Sequence, residues 1–323
     1  MDNTTSVTAF KLTAYESMDK YKHGMFCVFF LLYLAAVVLN SLLISVVHMN
    51  PELHHPMNVF ACMLSVNEMY GSTALLPAIM ALLISETHEV SAKWCSAQVY
   101  FLHTYAGGEF CILALMGYDR YVAICYPLHY HTNMSKSKIC KLIALAGLYS
   151  LIVFGCFYSL TLQLRFCGKV IPKLYCVNME LVKNACSTAS YISIAGLSIL
   201  PLFVVPQLVM IILSYAKIAK VCSKLTKEAQ IKALKTCIPH LFSLLNYSIG
   251  SCFEIVQTRL NMTHVSVETR SFLSLYFVIM PAISNPVMYG LGIQLVRVYI
   301  LKLFFKYTIL PKRVGSLGTV VGK

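Results

Sequence analysis

Seven long stretches of this chain of 323 residues carry almost no charge. They cover residues 24–47, 57–85, 97–118, 142–163, 187–216, 236–258 and 271–296. A helix needs about 20 mostly apolar residues to cross the hydrocarbon core of a bilayer, and each stretch is long enough. Lipid offers no water to satisfy backbone N–H and C=O groups, so such crossing segments are helices. The expected fold is an all-α membrane protein, a seven-transmembrane helix bundle. Composition agrees, with 58% hydrophobic and 12% charged residues. A soluble domain holds about 45–50% and about 25%. This excludes a disordered chain, a nucleic-acid-binding domain and a soluble α/β enzyme. No internal repeat or separate soluble domain is visible.

The expected organisation is an external tail (1–23), the bundle (24–296) and a cytoplasmic tail (297–323). Residues 1–23 hold no apolar stretch near the start, so the first span is expected to target the chain. With the N-terminus outside, the cytoplasmic segments 48–56, 119–141, 217–235 and 297–323 hold 16 of the 26 Lys and Arg. That excess favours this orientation. The net charge of +13 then faces anionic lipid headgroups. Asn3 opens an external glycosylation sequon. Residues 294–306 read as a short cytoplasmic amphipathic helix, with Leu295, Val298, Leu301 and Phe305 on one side. Arg297, Lys302 and Lys306 turn toward the headgroups.

Most of the 13 cysteines lie in apolar runs, where Cys packs as a small hydrophobe. Cys95, Cys167, Cys176 and Cys186 fall on the external side, where disulfides persist. Four cysteines allow three pairings. No Cys-x-x-Cys pair or His cluster indicates a metal.

A few polar residues interrupt the spans. Glu68 and Glu109 are carboxyls at membrane depth, and such groups are functional by default. Two of them on neighbouring spans can share a proton or hold a small cation such as sodium; the plainer reading is a protonated Glu serving packing. Asp119 and Arg120 end the third span, where Arg can pair with Asp and hold neighbouring helices closed. The plainer reading is a pair of interfacial charges. Asn285-Pro286 breaks the seventh helix's hydrogen-bond ladder, and with Tyr289 it makes either a hinge or a static kink.

The third span ends in Met116-Gly117-Tyr118-Asp119-Arg120-Tyr121-Val122-Ala123-Ile124-Cys125-Tyr126-Pro127-Leu128-His129-Tyr130. This closely resembles the signature of the olfactory (odorant) receptors, which are rhodopsin-like G-protein-coupled receptors. Further stretches resemble the family in order: Pro56-Met57 with Leu64-Ser65 and Glu68, Ser214-Tyr215-Ala216-Lys217-Ile218, Lys232 to Leu241, and Pro281 to Tyr289. The departures are Gly117 for Ala, Leu39 for Gly before Asn40, Glu68 where Asp is commoner, and Asn246-Tyr247-Ser248 for Phe-Tyr-Gly.

The resemblance implies an odorant receptor of the plasma membrane of olfactory cilia, coupled to a stimulatory G protein and raising cyclic AMP. It assigns a switch to Asp119, Arg120, Tyr121, Tyr215, Asn285, Pro286 and Tyr289. It makes Asn40, Asn285 and Ser284 neighbours of Glu68 and Glu109. It implies the disulfides Cys95–Cys176 and Cys167–Cys186.

Cavities between helices are the default pocket. In the outer half of the bundle they are expected to be lined by His103, Thr104, Ala106 and Gly107 on the third span, and Leu200 on the fifth. Tyr247, Ser251, Glu254, Ile255 and Arg259 follow on the sixth, and Val278 on the seventh. Arg259 can clamp an anion. Glu254 can meet an amine, or pair with Arg259 or His103.

Other classes fit less well. A retinal protein needs a Lys in the seventh span, and residues 271–296 have none. A transporter predicts internal symmetry. An intramembrane hydrolase lacks its nucleophile–base pattern. A non-olfactory receptor of the same class usually carries Trp in the fourth and sixth spans, whereas the single Trp here is Trp94.

Overall fold

A computed structural model describes residues 7–186, 190–259 and 265–304, with side chains throughout except at 190–203, 258–259, 267–268 and 303–304. Asn3 and Phe305 lie outside the described residues, as do the side chains of Leu200 and Arg259. In chain order the helices are α1 (Lys22–Met49), α2 (Pro56–Leu83), α3 (Ala92–Cys125), the short α4 (Tyr130–Asn133) and α5 (Lys136–Thr161). The short α6 (Asn178–Lys183), α7 (Ser190–Cys222), α8 (Lys227–Arg259), α9 (Val267–Gly292) and α10 (Gln294–Phe304) follow. The long helices α1, α2, α3, α5, α7, α8 and α9 form the bundle.

Helix ends differ from the uncharged runs because a helix does not stop where lipid stops. The 34 residues of α3 reach about 51 Å at about 1.5 Å per residue, against a hydrocarbon core of about 30 Å. Its start is set by Ser91, whose Oγ accepts from Trp94 N at 3.2 Å, an N-cap. Its end precedes Tyr126-Pro127, because the residue before Pro disfavours helical backbone. The seventh helix ends at Gly292 rather than 296, since Ile293 is extended and α10 turns away there.

Burial is inverted relative to a soluble bundle. Leu31, Ile152, Ile212 and Leu245 are exposed, while Asn40, Glu68, Glu109 and Asn285 are buried. Apolar side chains facing outward and polar ones inward suit a lipid surround. Five helices are apolar and long enough to cross a membrane by length and composition among the described residues. α2 and α8 carry polar side chains such as Asn67, Glu68 and His240, which meet other helices. α3 is the central column, packing against α2, α5, α7 and α8.

α8 and α9 touch backbone to backbone at Gly250, where an added Cβ would lie 2.8 Å from Phe277 Cα. Residues 7–21, expected as a tail, are folded. Strand β1 (Ala9–Leu12) pairs antiparallel with β2 (Glu89–Ser91), Phe10 opposite Val90, and parallel with β3 (Val170–Ile171), Leu12 opposite Ile171. A 3-10 segment, Thr13–Tyr21, follows and packs on α1, α2 and α9. Phe10, Leu12 and Tyr15 are fully buried, and Tyr15 Oη donates to Leu174 O at 2.6 Å. This small sheet roofs the Cys95 end of the bundle. The predicted amphipathic helix exists as α10. Val296 is buried, Tyr299 Oη donates to Glu52 Oε2 at 2.8 Å, and Leu295 and Leu301 point outward.

Candidate functional site

Three layers of polar side chains run down the bundle. At the Arg120 end, Asp119 is buried and paired with Arg120, whose Nε donates to Oδ2 at 3.0 Å and whose Nη2 meets the same oxygen. Tyr130 Oη, on α4, donates to Asp119 Oδ1 at 2.7 Å. Burial and then the Asp119 carboxylate push the Tyr130 hydroxyl well above its usual range, which keeps it a donor. Tyr121 Oη donates to Tyr126 Oη at 3.3 Å, and Lys217 Nζ stands 5.1 Å over the Tyr121 ring.

One turn inward, Tyr215 Oη on α7 donates to His240 Nδ1 on α8 at 2.6 Å. His240 Nε2 donates to Leu113 O on α3 at 2.8 Å. A carbonyl only accepts, so the proton sits on Nε2 and Nδ1 is the acceptor. One neutral imidazole thus latches three helices. Sequence reasoning placed Tyr215 in the switch and left out His240 and Tyr130. Their signal was an ionisable or hydroxyl-bearing ring at or beside membrane depth. Tyr289 is fully buried, its hydroxyl 3.8 Å from Met116 Sδ.

The middle layer joins Glu68 and Glu109. The Asn285 amide bridges them, donating to Glu68 Oε1 at 2.6 Å and Glu109 Oε1 at 3.2 Å. Asn67 Nδ2 donates to Glu109 Oε2 at 2.9 Å, and Tyr105 Oη to Glu68 Oε2 at 3.1 Å. Asn40 and Tyr105 also repair the kinked α9. Pro286 and Pro281 lack an N–H, so the carbonyls four residues back lose their helical donors. Asn40 Nδ2 takes Ala282 O at 2.7 Å and Tyr105 Oη takes Phe277 O at 3.1 Å. Ser284 is not a neighbour of the carboxyls; its Oγ accepts from Asn246 Nδ2 at 2.8 Å. Asn246, at the departure from Phe-Tyr-Gly, therefore fastens α8 to α9, with Tyr276 Oη donating to its Oδ1 at 2.6 Å.

The third layer lies under the roof, at the Cys95 end. Cys95–Cys176 ties α3 to the loop after β3, and Cys167–Cys186 closes that loop on itself. Gln98 Oε1 accepts from Cys176 N at 3.0 Å, and Tyr175 Oη donates to Ser274 O at 3.2 Å. Glu254 accepts from Gln257 Nε2 and lies 4.0 Å from Lys173 Nζ of the loop. Burial lowers the Lys173 ammonium below its usual value, against the pull of Glu254 and then Glu180.

Of the expected pocket residues, Gly107, Tyr247, Ser251 and Val278 are buried. Tyr247 Oη donates to Ala106 O at 3.1 Å, and its ring packs edge-on against Phe110. Ile255 is half-buried on α8. Two expectations are corrected, because neighbouring positions on α3 point about 100° apart. His103 turns to α5, its ring 5.6 Å from that of Phe154, and Glu254 pairs with Lys173 instead. Thr104 turns to α2, 2.7 Å from Tyr70 Oη.

A search against known families matches residues 27–307 to the olfactory receptors. Olfactory receptor 52D1 of Homo sapiens is 32% identical over 297 residues, covering 91% of this chain and 93% of its own. Human olfactory receptor 52P1 is 33% identical over 273 residues, 84% of each chain. Human olfactory receptor 52K1 is 31% identical over 274 residues, 84% of this chain and 87% of its own. Receptors of this family are not enzymes. The chain belongs to the olfactory receptor family, as a multi-pass membrane protein that senses odorants and signals through G proteins.

Proposed function

We propose that the Cys95 end faces outside, the Arg120 end faces the cytoplasm, and a small odorant binds in the outer half between α3, α8 and α9. The odorant shifts the bundle between two arrangements and thereby drives nucleotide exchange on a stimulatory, olfactory-type G protein, raising cyclic AMP. A location in the ciliary plasma membrane follows from the same reading. The observation that carries it is the latch of Tyr215, His240 and Leu113 O. It ties α8 to α3 at the end where the G protein docks, so docking requires that latch to open. Pro239 lies beside it within α8. Pro removes a ladder bond and marks where the helix can bend. Arg120 becomes available to the partner when Asp119, itself bonded by Tyr130, releases it.

Glu68 and Glu109 are proposed to hold a shared proton or a sodium ion. Asn285 Oδ1 is a buried acceptor with no hydrogen-bond donor, on the side chain whose amide reaches both carboxyls. An acceptor beside two carboxyls suits a cation better than a water-free packing role. Such a cation also bridges α2, α3 and α9 in the resting arrangement.

The test measures cyclic AMP in cells carrying the receptor and an olfactory-type stimulatory G protein, with surface staining in parallel. The expected result is a response that Arg120→Ala abolishes at unchanged surface level. A full response retained by that variant would sink the proposed coupling.

A further inference from the structure

The outer layer holds buried polar atoms of both kinds with no partner. Gln257 Oε1 on α8 lacks a hydrogen bond, as does Arg270 Nε on α9. Gln257 is 7% exposed. The amide assignment of Gln257 is set by its Nε2 donating to the Glu254 carboxylate, so Oε1 is left as an acceptor. A buried polar atom without a partner costs about 1–3 kcal/mol, so an acceptor and a donor left over on these two helices call for a polar partner.

The charges sharpen the ligand's chemistry. Lys183 pairs with Glu180 at 2.7 Å, and Lys173 lies 4.0 Å from Glu254. Arg270 lies within electrostatic range of Lys173, and among the described residues it has no carboxylate at ion-pair distance. An ammonium alone would add a cation beside Lys173 and Arg270. A carboxylate alone would add an anion beside Glu254 and leave the Gln257 acceptor unfilled. A molecule with both charges offers a donor to the Gln257 acceptor and an acceptor to the Arg270 donor, and adds no net charge.

We propose that this end of the bundle binds a small zwitterion, an α-amino acid or a molecule with the same paired groups, its ammonium taken by Glu254 and Gln257 and its carboxylate by Lys173 and Arg270. The proposal rests on the reading that ligands bind in the outer half. Seating the ligand parts Lys173 from Glu254, which the flexible four-carbon stem of lysine permits. The exchange loosens the loop's hold on α8, so binding is felt by the helix that carries His240.

The test uses the full-length receptor in lipid nanodiscs with L-alanine, propionate and isopropylamine as probes. The first carries both charges and the others one each. The expected result is a raised thermal midpoint with alanine only, and a half-maximal alanine concentration about tenfold higher in Glu254→Gln and in Arg270→Gln. Arg270→Lys restores part of the loss, which a merely structural role would not. Equal stabilisation by propionate or isopropylamine, or none by alanine or its short-chain analogues, overturns the proposal. Cyclic AMP separates the two readings. Neutral odorants signalling through Arg120 while amino acids stay inert would remove the zwitterion and leave the receptor coupling. Alanine stabilising a receptor that never signals would do the reverse.

Discussion

Asn40 on α1 donates to Ala282 O on α9 at 2.7 Å, and Ala282 is the residue whose carbonyl Pro286 cannot satisfy. The same arrangement recurs one turn away between Tyr105 and Phe277 O, the carbonyl freed by Pro281. Each proline opens a gap in one helix, and a side chain from another helix closes it. The kink of α9 is thus held from α1 and α3. Asn40→Leu leaves a buried carbonyl without a donor and is expected to cost about 1–3 kcal/mol. The thermal midpoint of the purified receptor reads this. Pro286→Ala in the same background restores the N–H and recovers part of the loss; a double variant no better than the single would argue against the repair.

Asn285 is the donor common to Glu68 and Glu109. Asn285→Leu leaves two buried carboxyls without it, and leaving buried groups unsatisfied costs about 1–3 kcal/mol each. Thermal unfolding is expected to show the drop, and Glu109→Gln in that background to return part of it. If the site holds sodium, the wild-type midpoint rises with sodium relative to a bulky cation, and Glu109→Gln abolishes the rise. A sodium-independent midpoint would leave the shared proton.

Breaking the latch should raise resting activity. His240→Phe removes the bonds to Tyr215 and Leu113 O while keeping a ring in place. Two hydrogen bonds at about 1 kcal/mol each shift the two-arrangement equilibrium by about thirtyfold at most. Basal nucleotide exchange on the G protein is expected to climb severalfold or more, with Tyr215→Phe giving a smaller rise. Unchanged basal exchange at normal receptor levels would show that the latch does not restrain α8.

The disulfides differ in what they hold. Cys95–Cys176 spans 81 residues and Cys167–Cys186 spans 19. Loop-closure entropy assigns about 4.5 kcal/mol to the first and about 3 kcal/mol to the second. Cys95→Ser is therefore expected to lower the thermal midpoint more than Cys167→Ser, and to free the roof from α3. The reverse order, measured in the same lipid, would mean that the roof is held chiefly by β1.

Lys173 gives a pH dependence with a definite sign. Burial holds its folded-state value below the usual 10.5, so between the two values the unfolded chain binds more protons. Stability then rises with pH across that window, and below it the cost of the buried ammonium is constant with pH. The thermal midpoint of wild type is expected to gain as pH climbs toward the lysine value relative to Lys173→Gln. Parallel curves would exclude Lys173 as the source.

The seven helices were legible because uncharged runs of that length have one stable outcome in lipid. The Asp119-Arg120 end and the disulfide partners were legible through the family signature around them. His240, Tyr130 and Tyr105 were not singled out, since a ring within an apolar run reads as packing until its partner is known. The Asn40 repair needed a carbonyl 242 residues away. His103 and Thr104 were misplaced because adjacent positions on a helix point in different directions, and only the packing says which neighbour each meets.

By itself, then, the order of residues determined how many helices cross, their polar interruptions, and the prolines that would need repair. Those follow from local chemistry, which depends on composition and spacing alone. Only the tertiary structure decided who repairs α9, that residues 7–21 fold into a roof, and that Lys173 of a loop stands against Glu254 of α8. Each of these joins segments far apart in the chain. A distant partner is chosen by how whole helices pack, which no short stretch of sequence encodes.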